Sequence, residues 1–157
     1  MATFSTSTRS GATVTAEVEV VWEALTDPDL LARLTPFLHS VHEEGQHWVW
    51  QLRSIPVLGS SFSFTFRERM RFAEPHRIDF THDPAPGSAE AAGVVGWYAL
   101  APRPEGTRLE TSMEITVELP FPSVLRPAVV TGMKGVLTLM GQRFSHNLLH
   151  HLGATAA

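Results

Sequence analysis

One carboxylate stands among aromatic side chains in the segment FSFTFRERMRF, residues 62–72. Alternate positions hold large apolar residues and that one acid, and the positions between them hold serine, threonine and arginine. Strict alternation of this kind predicts a β-strand with one buried and one solvated face. The in-phase positions are Phe62, Phe64, Phe66, Glu68, Met70 and Phe72. Glu68 is therefore predicted to point into the apolar side of a sheet, where an unpaired charge is costly.

A histidine on the following strand is the predicted partner of Glu68. The segment HRIDFTH, residues 76–82, comes after a predicted turn. A register that pairs Phe72 with Ile78 across this turn also brings His82 opposite the carboxylate. A carboxylate beside an imidazole can form a charge-assisted hydrogen bond that lowers the cost of burying both groups. Three interpretations stay open: a structural pair, a polar anchor for a ligand, and an acid–base dyad.

The hairpin GWYALAPRPEGTRLETSMEI, residues 96–115, adds a third polar group to the apolar face. A turn at RPEG that pairs Leu100 with Leu109 points Tyr98 inward and Trp97 outward. Trp97 is expected to stack on an arginine of the outer face. The arginines predicted on that face are Arg67, Arg69, Arg77 and Arg108.

No metal or cofactor motif accompanies these residues. His39, His42 and His47 lie close together in the sequence, and His146 and His150 are four apart on a predicted helix. No carboxylate occupies the position that an HExxH metal motif needs, and histidines near a helix C-terminus are expected to complement the helix dipole. Phosphate-binding loops and nucleophile elbows are also lacking. The sequence thus predicts no metal and no cofactor.

Composition limits the classes of function. The chain has 157 residues, 43% of them hydrophobic, a net charge of −4 and no cysteine. Such a chain is predicted to be one globular domain, residues 1–157, without disulfides or thiolate chemistry. Its charge gives no footprint for nucleic acid. The N-terminus lacks the apolar core of a signal peptide and no run approaches the length of a membrane span, so we expect a cytoplasmic protein without integral membrane association.

The order of elements predicts an α+β fold. Residues 2–16 form a predicted strand, and residues 17–36 form two short helices, the second capped by Asp27 with Pro28 at its first position. Residues 37–119 have mostly period-two spacing and contain three hairpins, interrupted by a predicted apolar loop at residues 54–59. From residue 123 a long helix is expected to run to a glycine cap at Gly153.

Several segments occur in an order that resembles the START-like, or SRPBCC, superfamily, in its polyketide cyclase/dehydrase and lipid-transport branch. They are Val21-Trp22, Asp27-Pro28, Arg33 to Pro36, EPHRIDF and the Gly-x-x-x-Leu-x-Pro…Gly-Thr-Arg hairpin. The resemblance covers nearly the whole chain. It implies a helix-grip fold, in which a curved seven-stranded antiparallel sheet surrounds the C-terminal helix and leaves a cavity, with two short helices between strands 1 and 2.

The resemblance implies a function in binding or transport of a small hydrophobic ligand, such as a lipid or polyketide. One alternative is a cyclase/dehydrase-type enzyme in which Glu68, His82 or Tyr98 transfers protons, and another is a protein-interaction module with a protein partner. The residues predicted to face the ligand are Trp50, Phe64, Phe66, Glu68, Met70, Phe80, His82, Tyr98, Met113, Met133, Val136, Met140 and Phe144. A solid core made by the same side chains is the competing interpretation.

Overall fold

The structure, a computed structural model, describes residues 2–157. Its strands are β1 (Ala2–Val14), β2 (Leu38–Glu44), β3 (His47–Val57), β4 (Ser60–Ala73), β5 (Arg77–His82), β6 (Ala92–Arg103) and β7 (Gly106–Leu119). Its helices are α1 (Val18–Leu25), α2 (Pro28–Leu34) and α3 (Arg126–Leu152), and a 3₁₀ turn (Ser123–Leu125) precedes α3. The element order is the one that the sequence predicts.

The seven strands form one antiparallel sheet in the order β1-β7-β6-β5-β4-β3-β2. Strands β2 to β7 follow one another as hairpins, and β1 pairs with β7, so the helices α1 and α2 connect the two edges of the sheet. Helix α3 packs against β1 and β3, toward opposite edges, which requires the sheet to curve around it. The predicted α+β helix-grip fold is confirmed.

Local sequence signals define the ends of the helices. The carboxylate of Asp27 accepts a hydrogen bond from the backbone N–H of Leu30 at 3.1 Å, and Pro28 is the first residue of α2. Gly153 ends α3 with φ of 63°, a left-handed conformation that glycine adopts without a Cβ penalty. Within residues 2–157, no helix has both the length and the apolar composition that crossing a bilayer requires.

One packed core extends along the sheet, and part of it lies where α1 and α2 cover one end. Val21 and Leu25 of α1 are 0% and 2% exposed, and Leu30 of α2 is 4% exposed. Full burial of such a side chain contributes about 1.5–3 kcal/mol. The apolar stripes of α1 and α2 thus anchor this end of the sheet.

Strand β3 is longer than the sequence predicts. Residues 54–57 continue the strand instead of forming a loop, and only Leu58 and Gly59 make the turn. A bulge lies where the register changes from Leu52 opposite Phe64 to Ile55 opposite Phe62. Ser54, inside this bulge, has φ of 58°. Because a bulge adds one residue to a single strand, it interrupts the period-two alternation of apolar residues. The sequence pattern therefore does not indicate that β3 continues past the bulge.

Both register predictions are confirmed. Glu68 is paired with His82, and Leu100 is paired with Leu109. Trp97 faces outward, and the guanidinium carbon of Arg77 lies 4.4 Å from the centre of its ring. The predicted cation–π contact is therefore present.

Candidate ligand-binding cleft

The centre of β7 is accessible on both of its faces. Its two ends alternate normally, with Thr107, Val117 and Leu119 buried on the concave side, but no residue from 108 to 116 is buried. The concave-facing members of this stretch, Leu109, Thr111, Met113 and Ile115, lie on the side of the sheet that α3 covers and are all half-buried rather than buried. Their partial exposure therefore indicates accessible space between the sheet and the helix.

Helix α3, like β7, has a central stretch in which no residue is buried. A helix of 27 residues that packs on a sheet presents about seven residues on one face, one per turn. Only Val129, Met133 and Leu148 are buried, and no residue from 134 to 147 is. The helix is thus held near its ends, while its middle lies above the centre of the sheet. We call the space between them the central cleft.

Twelve of the thirteen predicted ligand-facing residues fall into two groups. Half-buried residues that border the central cleft are Trp50, Phe64, Tyr98, Met113, Val136, Met140 and Phe144. Buried core residues are Phe66, Glu68, Met70, Phe80 and Met133. His82 belongs to neither group, since its ring is bonded at the end of β5. The competing solid-core interpretation thus describes the buried group, and the cleft interpretation stays a prediction for the half-buried group, whose members lie on β3, β4, β6, β7 and α3.

Glu68 belongs to the buried group, but its neighbours Trp50 and Tyr98 belong to the half-buried group. It is 2% exposed, and its Oε2 has no hydrogen-bond partner within residues 2–157. Burial raises the pKa of this carboxyl from 4.5 to about 8, because a charge in an apolar environment loses its hydration. The group is therefore protonated, and neutral, near pH 7.

Two neighbours share the environment of Glu68. The indole N–H of Trp50 is close enough to offset part of the rise in the pKa of Glu68, yet Trp50 Nε1 makes no hydrogen bond within residues 2–157. Burial raises the pKa of the Tyr98 phenol, and the nearby carboxyl of Glu68 raises it further. Three neutral groups with a proton to donate, a carboxylic acid, an indole and a phenol, therefore lie together beside the central cleft.

The predicted hydrogen bond between Glu68 and His82 is wrong. Although their Cα atoms are paired, His82 donates from Nε2 to Glu90 Oε1 at 2.8 Å. The ring of His82 turns toward β6 and covers Gly93, where any Cβ would meet the imidazole. Glu90 is thus the acid that pairs with the histidine, and in the part of the chain that the structure describes Glu68 has no ionic partner.

Glu90 was missed because it lies in the loop between β5 and β6. Its carboxylate also accepts a hydrogen bond from the backbone N–H of Arg67 at 3.1 Å, next to the end of β5. One signal of its role is present in the sequence, since Glu90 is the only charged residue in the segment PAPGSAEAAG, residues 84–93. A lone charge in an apolar loop requires a partner, but periodicity does not identify that partner.

Two of the three clustered histidines, His42 and His47, have acidic partners on the outside of the sheet. His47 donates to Asp83 at 2.8 Å and lowers the pKa of that carboxyl, and His42 donates to Glu44 at 2.9 Å. Within residues 2–157, no three histidine, aspartate or glutamate side chains converge to form a metal-binding group.

Two surface pockets, of about 270 and 180 Å³, lie away from the central cleft. The larger is beside α1 and the turn between β2 and β3, and the smaller is beside the turn between β6 and β7. None of the thirteen predicted ligand-facing residues lines either pocket. Neither pocket coincides with the central cleft, which is identified from the partial exposure of the residues that border it.

A seven-stranded antiparallel sheet that holds a long C-terminal helix over its concave face defines a helix-grip protein. The chain belongs to the family described as polyketide cyclase / dehydrase and lipid transport, whose model matches residues 1–149. The resemblance seen in the sequence is therefore confirmed. No curated protein matches the sequence.

Solved structures with the same fold include two that are described as an aromatase/cyclase and a di-domain ARO/CYC. The ZhuI aromatase/cyclase from Streptomyces sp. R1128 is 15% identical with a TM-score of 0.64, over 95% of this chain and 94% of that chain. The di-domain ARO/CYC StfQ from the steffimycin biosynthetic pathway is 14% identical with a TM-score of 0.67, over 96% of this chain and 51% of that one. A START superfamily protein from Mycobacterium smegmatis is 14% identical with a TM-score of 0.62, over 95% and 97%. At such identities the similarity shows the fold alone.

Proposed function

We propose that the chain acts as one domain that binds a small, largely apolar molecule in the central cleft, and that this molecule carries a hydrogen-bond acceptor such as a ketone oxygen. The observation that supports this most directly is Glu68, which is 2% exposed and has no ionic partner among residues 2–157. A protein does not bury an unpaired acid without a cost in stability. We therefore expect this acid to have a function that explains why a residue with a cost in stability is present.

The protonation state of Glu68 determines the chemistry of the ligand. With a pKa of about 8, its carboxyl is neutral at pH 7 and donates a hydrogen bond instead of only accepting them. Tyr98, whose pKa is also raised, is a second neutral donor. A carbonyl oxygen can accept from both groups, whereas none of the seven half-buried residues named as bordering the central cleft carries a positive charge that would attract an anionic head-group. The arrangement therefore favours a neutral, carbonyl-bearing ligand.

The wall of the cleft suits an apolar ligand of varied shape. Met113 and Met140 lie on opposite sides of it, on β7 and α3, and both are half-buried. Methionine side chains are unbranched and flexible, so they adapt to different ligands. Trp50, stacked on Phe66 with ring centres 6.4 Å apart, adds a flat aromatic surface beside Glu68.

Two matched ligands test the proposal: 9-fluorenone, a tricyclic ketone, and fluorene, which lacks the oxygen. Quenching of tryptophan fluorescence measures their affinities. We expect fluorenone to bind about 2–12-fold more tightly, as one hydrogen bond allows. This preference should decrease in Glu68→Leu, persist in the control Glu114→Leu on the convex face, and decrease as the pH rises through about 8. Equal affinity of the two ligands for the unmodified protein would contradict the proposal.

A second candidate function is acid catalysis on such a ligand. The observation in its favour is that the pKa of Glu68, about 8, lies near the pH at which a general acid is most effective. Bound fluorenone separates the two functions, because Glu68→Gln keeps an N–H donor but cannot transfer a proton. If the protein is an enzyme, this variant should still bind fluorenone while its turnover of a poly-β-ketone substrate falls by about 10²-fold or more. Unchanged turnover in the variant would exclude Glu68 as the acid, and absence of turnover by the unmodified protein would leave binding as the function.

A further inference from the structure

The larger surface pocket, of about 270 Å³, is lined by a different set of residues from the central cleft. It lies between α1, the turn that joins β2 to β3, and the end of β4. Its lining consists of Trp22, Thr26, Glu43, Gly45, Gln46, Trp48, Phe72 and Glu74. We call it the aromatic pocket.

Three aromatic rings form its walls. The rings of Trp22 and Phe72 meet edge to face, with centres 6.1 Å apart and planes at 80°. The rings of Trp48 and Phe72 have centres 5.9 Å apart and planes at 48°. Both tryptophans are held by the core at 7% and 4% exposure, but Phe72 is 47% exposed. The alternation of β4 predicts a buried Phe72, so this half-exposed ring is an exception on the apolar face of its strand.

Two carboxylates lie on the same pocket without a cation. Glu43 and Glu74 are both exposed, and within residues 2–157 neither forms an ion pair or a side-chain hydrogen bond. No lysine, arginine or histidine lines the pocket. The polar side chains that do line it are already bonded, since Thr26 donates to the carbonyl of Trp22 and Gln46 accepts from Arg69. The uncompensated charge of the pocket is therefore negative.

We propose that the aromatic pocket binds a methylated ammonium group. Aromatic rings attract a cation through the negative potential of their faces, and carboxylates add a direct charge attraction. Methyl groups on the nitrogen spread the charge and lower its hydration, which favours contact with rings over contact with water. The volume holds about nine waters at about 30 Å³ each, which is room for a choline-sized cation. A neutral apolar molecule would gain nothing from the two acids, and an anion would be repelled by them.

Choline and its uncharged carbon analogue, 3,3-dimethylbutan-1-ol, test this assignment because they have nearly the same shape. Both are titrated into ¹⁵N-labelled protein, and the indole N–H signals are followed. Choline should shift the signals of Trp22 and Trp48 and leave that of Trp97, on the convex face, unchanged. The uncharged analogue should bind at least about fivefold more weakly, as a cation–π contribution implies. Equal affinities, or choline shifts centred on Trp97, would overturn the proposal.

Two variants separate the contributions of the rings and the acids. Phe72→Leu keeps an apolar side chain but removes a π face, and the double substitution Glu43→Gln with Glu74→Gln removes the charge while leaving the rings. Each should weaken choline binding by at least about threefold. Glu114→Gln, on the convex face, is the matched control and should bind choline as the unmodified protein does. If Phe72→Leu proves unfolded, the double variant Glu43→Gln with Glu74→Gln tests the proposal by itself. Undiminished choline binding by this variant would rule out recognition of the positive charge.

Discussion

His82 and Glu90 are joined by a 2.8 Å hydrogen bond, from Nε2 to Oε1, although the strand register places His82 opposite Glu68. Two acids thus lie near one imidazole, and the one from the loop is bonded to it. The result is that Glu90 is fully partnered, by an imidazole and by the backbone N–H of Arg67, whereas Glu68 remains buried and neutral. This division of roles makes Glu90 a structural residue and leaves Glu68 available for a ligand.

Replacing Glu90 by alanine should therefore destabilise the protein without removing a group of the cleft. The backbone N–H of Arg67 and the imidazole of His82 would both lose their acceptor, at a cost of about 1–3 kcal/mol in the free energy of unfolding. Urea denaturation measures this cost. Glu90→Gln, which keeps an acceptor oxygen, should lose less, and Glu105→Ala in the exposed β6–β7 turn should change stability by less than about 0.5 kcal/mol. Equal stability of Glu90→Ala and Glu105→Ala would mean that the contacts of Glu90 contribute nothing.

Glu68 should make the stability of the protein depend on pH. Its pKa is about 8 when folded and near 4.5 when unfolded, so the folded protein binds more protons between these values. The free energy of unfolding should therefore fall as the pH rises from about 4.5 to about 8, and this group should have no further effect below or above that range. The total loss is on the order of several kcal/mol.

The variant Glu68→Gln isolates this effect because it cannot ionise. Its stability relative to the unmodified protein should increase across the same range of pH and reach a plateau above about pH 8. Urea denaturation of both proteins at several pH values gives the difference, in which the other titrating groups cancel. A difference that does not change with pH over this range would show that folding does not raise the pKa of Glu68.

The sequence predicts the faces of the strands well because burial acts on every second residue. Glu68, Tyr98 and Trp97 all lie on the faces that alternation assigns to them. It does not predict contacts made by loops or bulges, such as Glu90 or the continuation of β3 past Ser54, since neither follows a period. The sequence pattern also does not distinguish a filled core from an open cleft. The distance between α3 and β7 decides between the two, and that distance depends on how both ends of the helix pack. Met113 and Met133 illustrate this, since one is accessible and the other buried.

Trp97 and Arg77 should be energetically coupled. The guanidinium carbon of Arg77 lies 4.4 Å from the ring centre of Trp97, and Arg77 also forms an ion pair with Asp79 at 3.1 Å. A double-mutant cycle with Arg77→Leu and Trp97→Leu, measured by urea denaturation, should give a coupling of about 0.5–1 kcal/mol. The same cycle on Arg77 and Asp79 is the comparison, because an exposed ion pair contributes about as much or less and weakens in salt. A coupling near zero for Arg77 and Trp97 would mean that their contact contributes nothing in solution.

Met113 and Met133 should respond in opposite ways to the same substitution. Met113 borders the central cleft and is half-buried, so a phenylalanine there can extend into open space and should cost less than about 1 kcal/mol of stability. Met133 is 6% exposed, so the same ring would overpack the core beneath α3 and should cost about 1–3 kcal/mol. Binding of fluorenone should show the reverse order, because only the ring at position 113 occupies ligand space. Thermal melting and fluorescence quenching measure the two effects. A destabilised Met113→Phe that still binds fluorenone normally would show that β7 and α3 enclose no cleft.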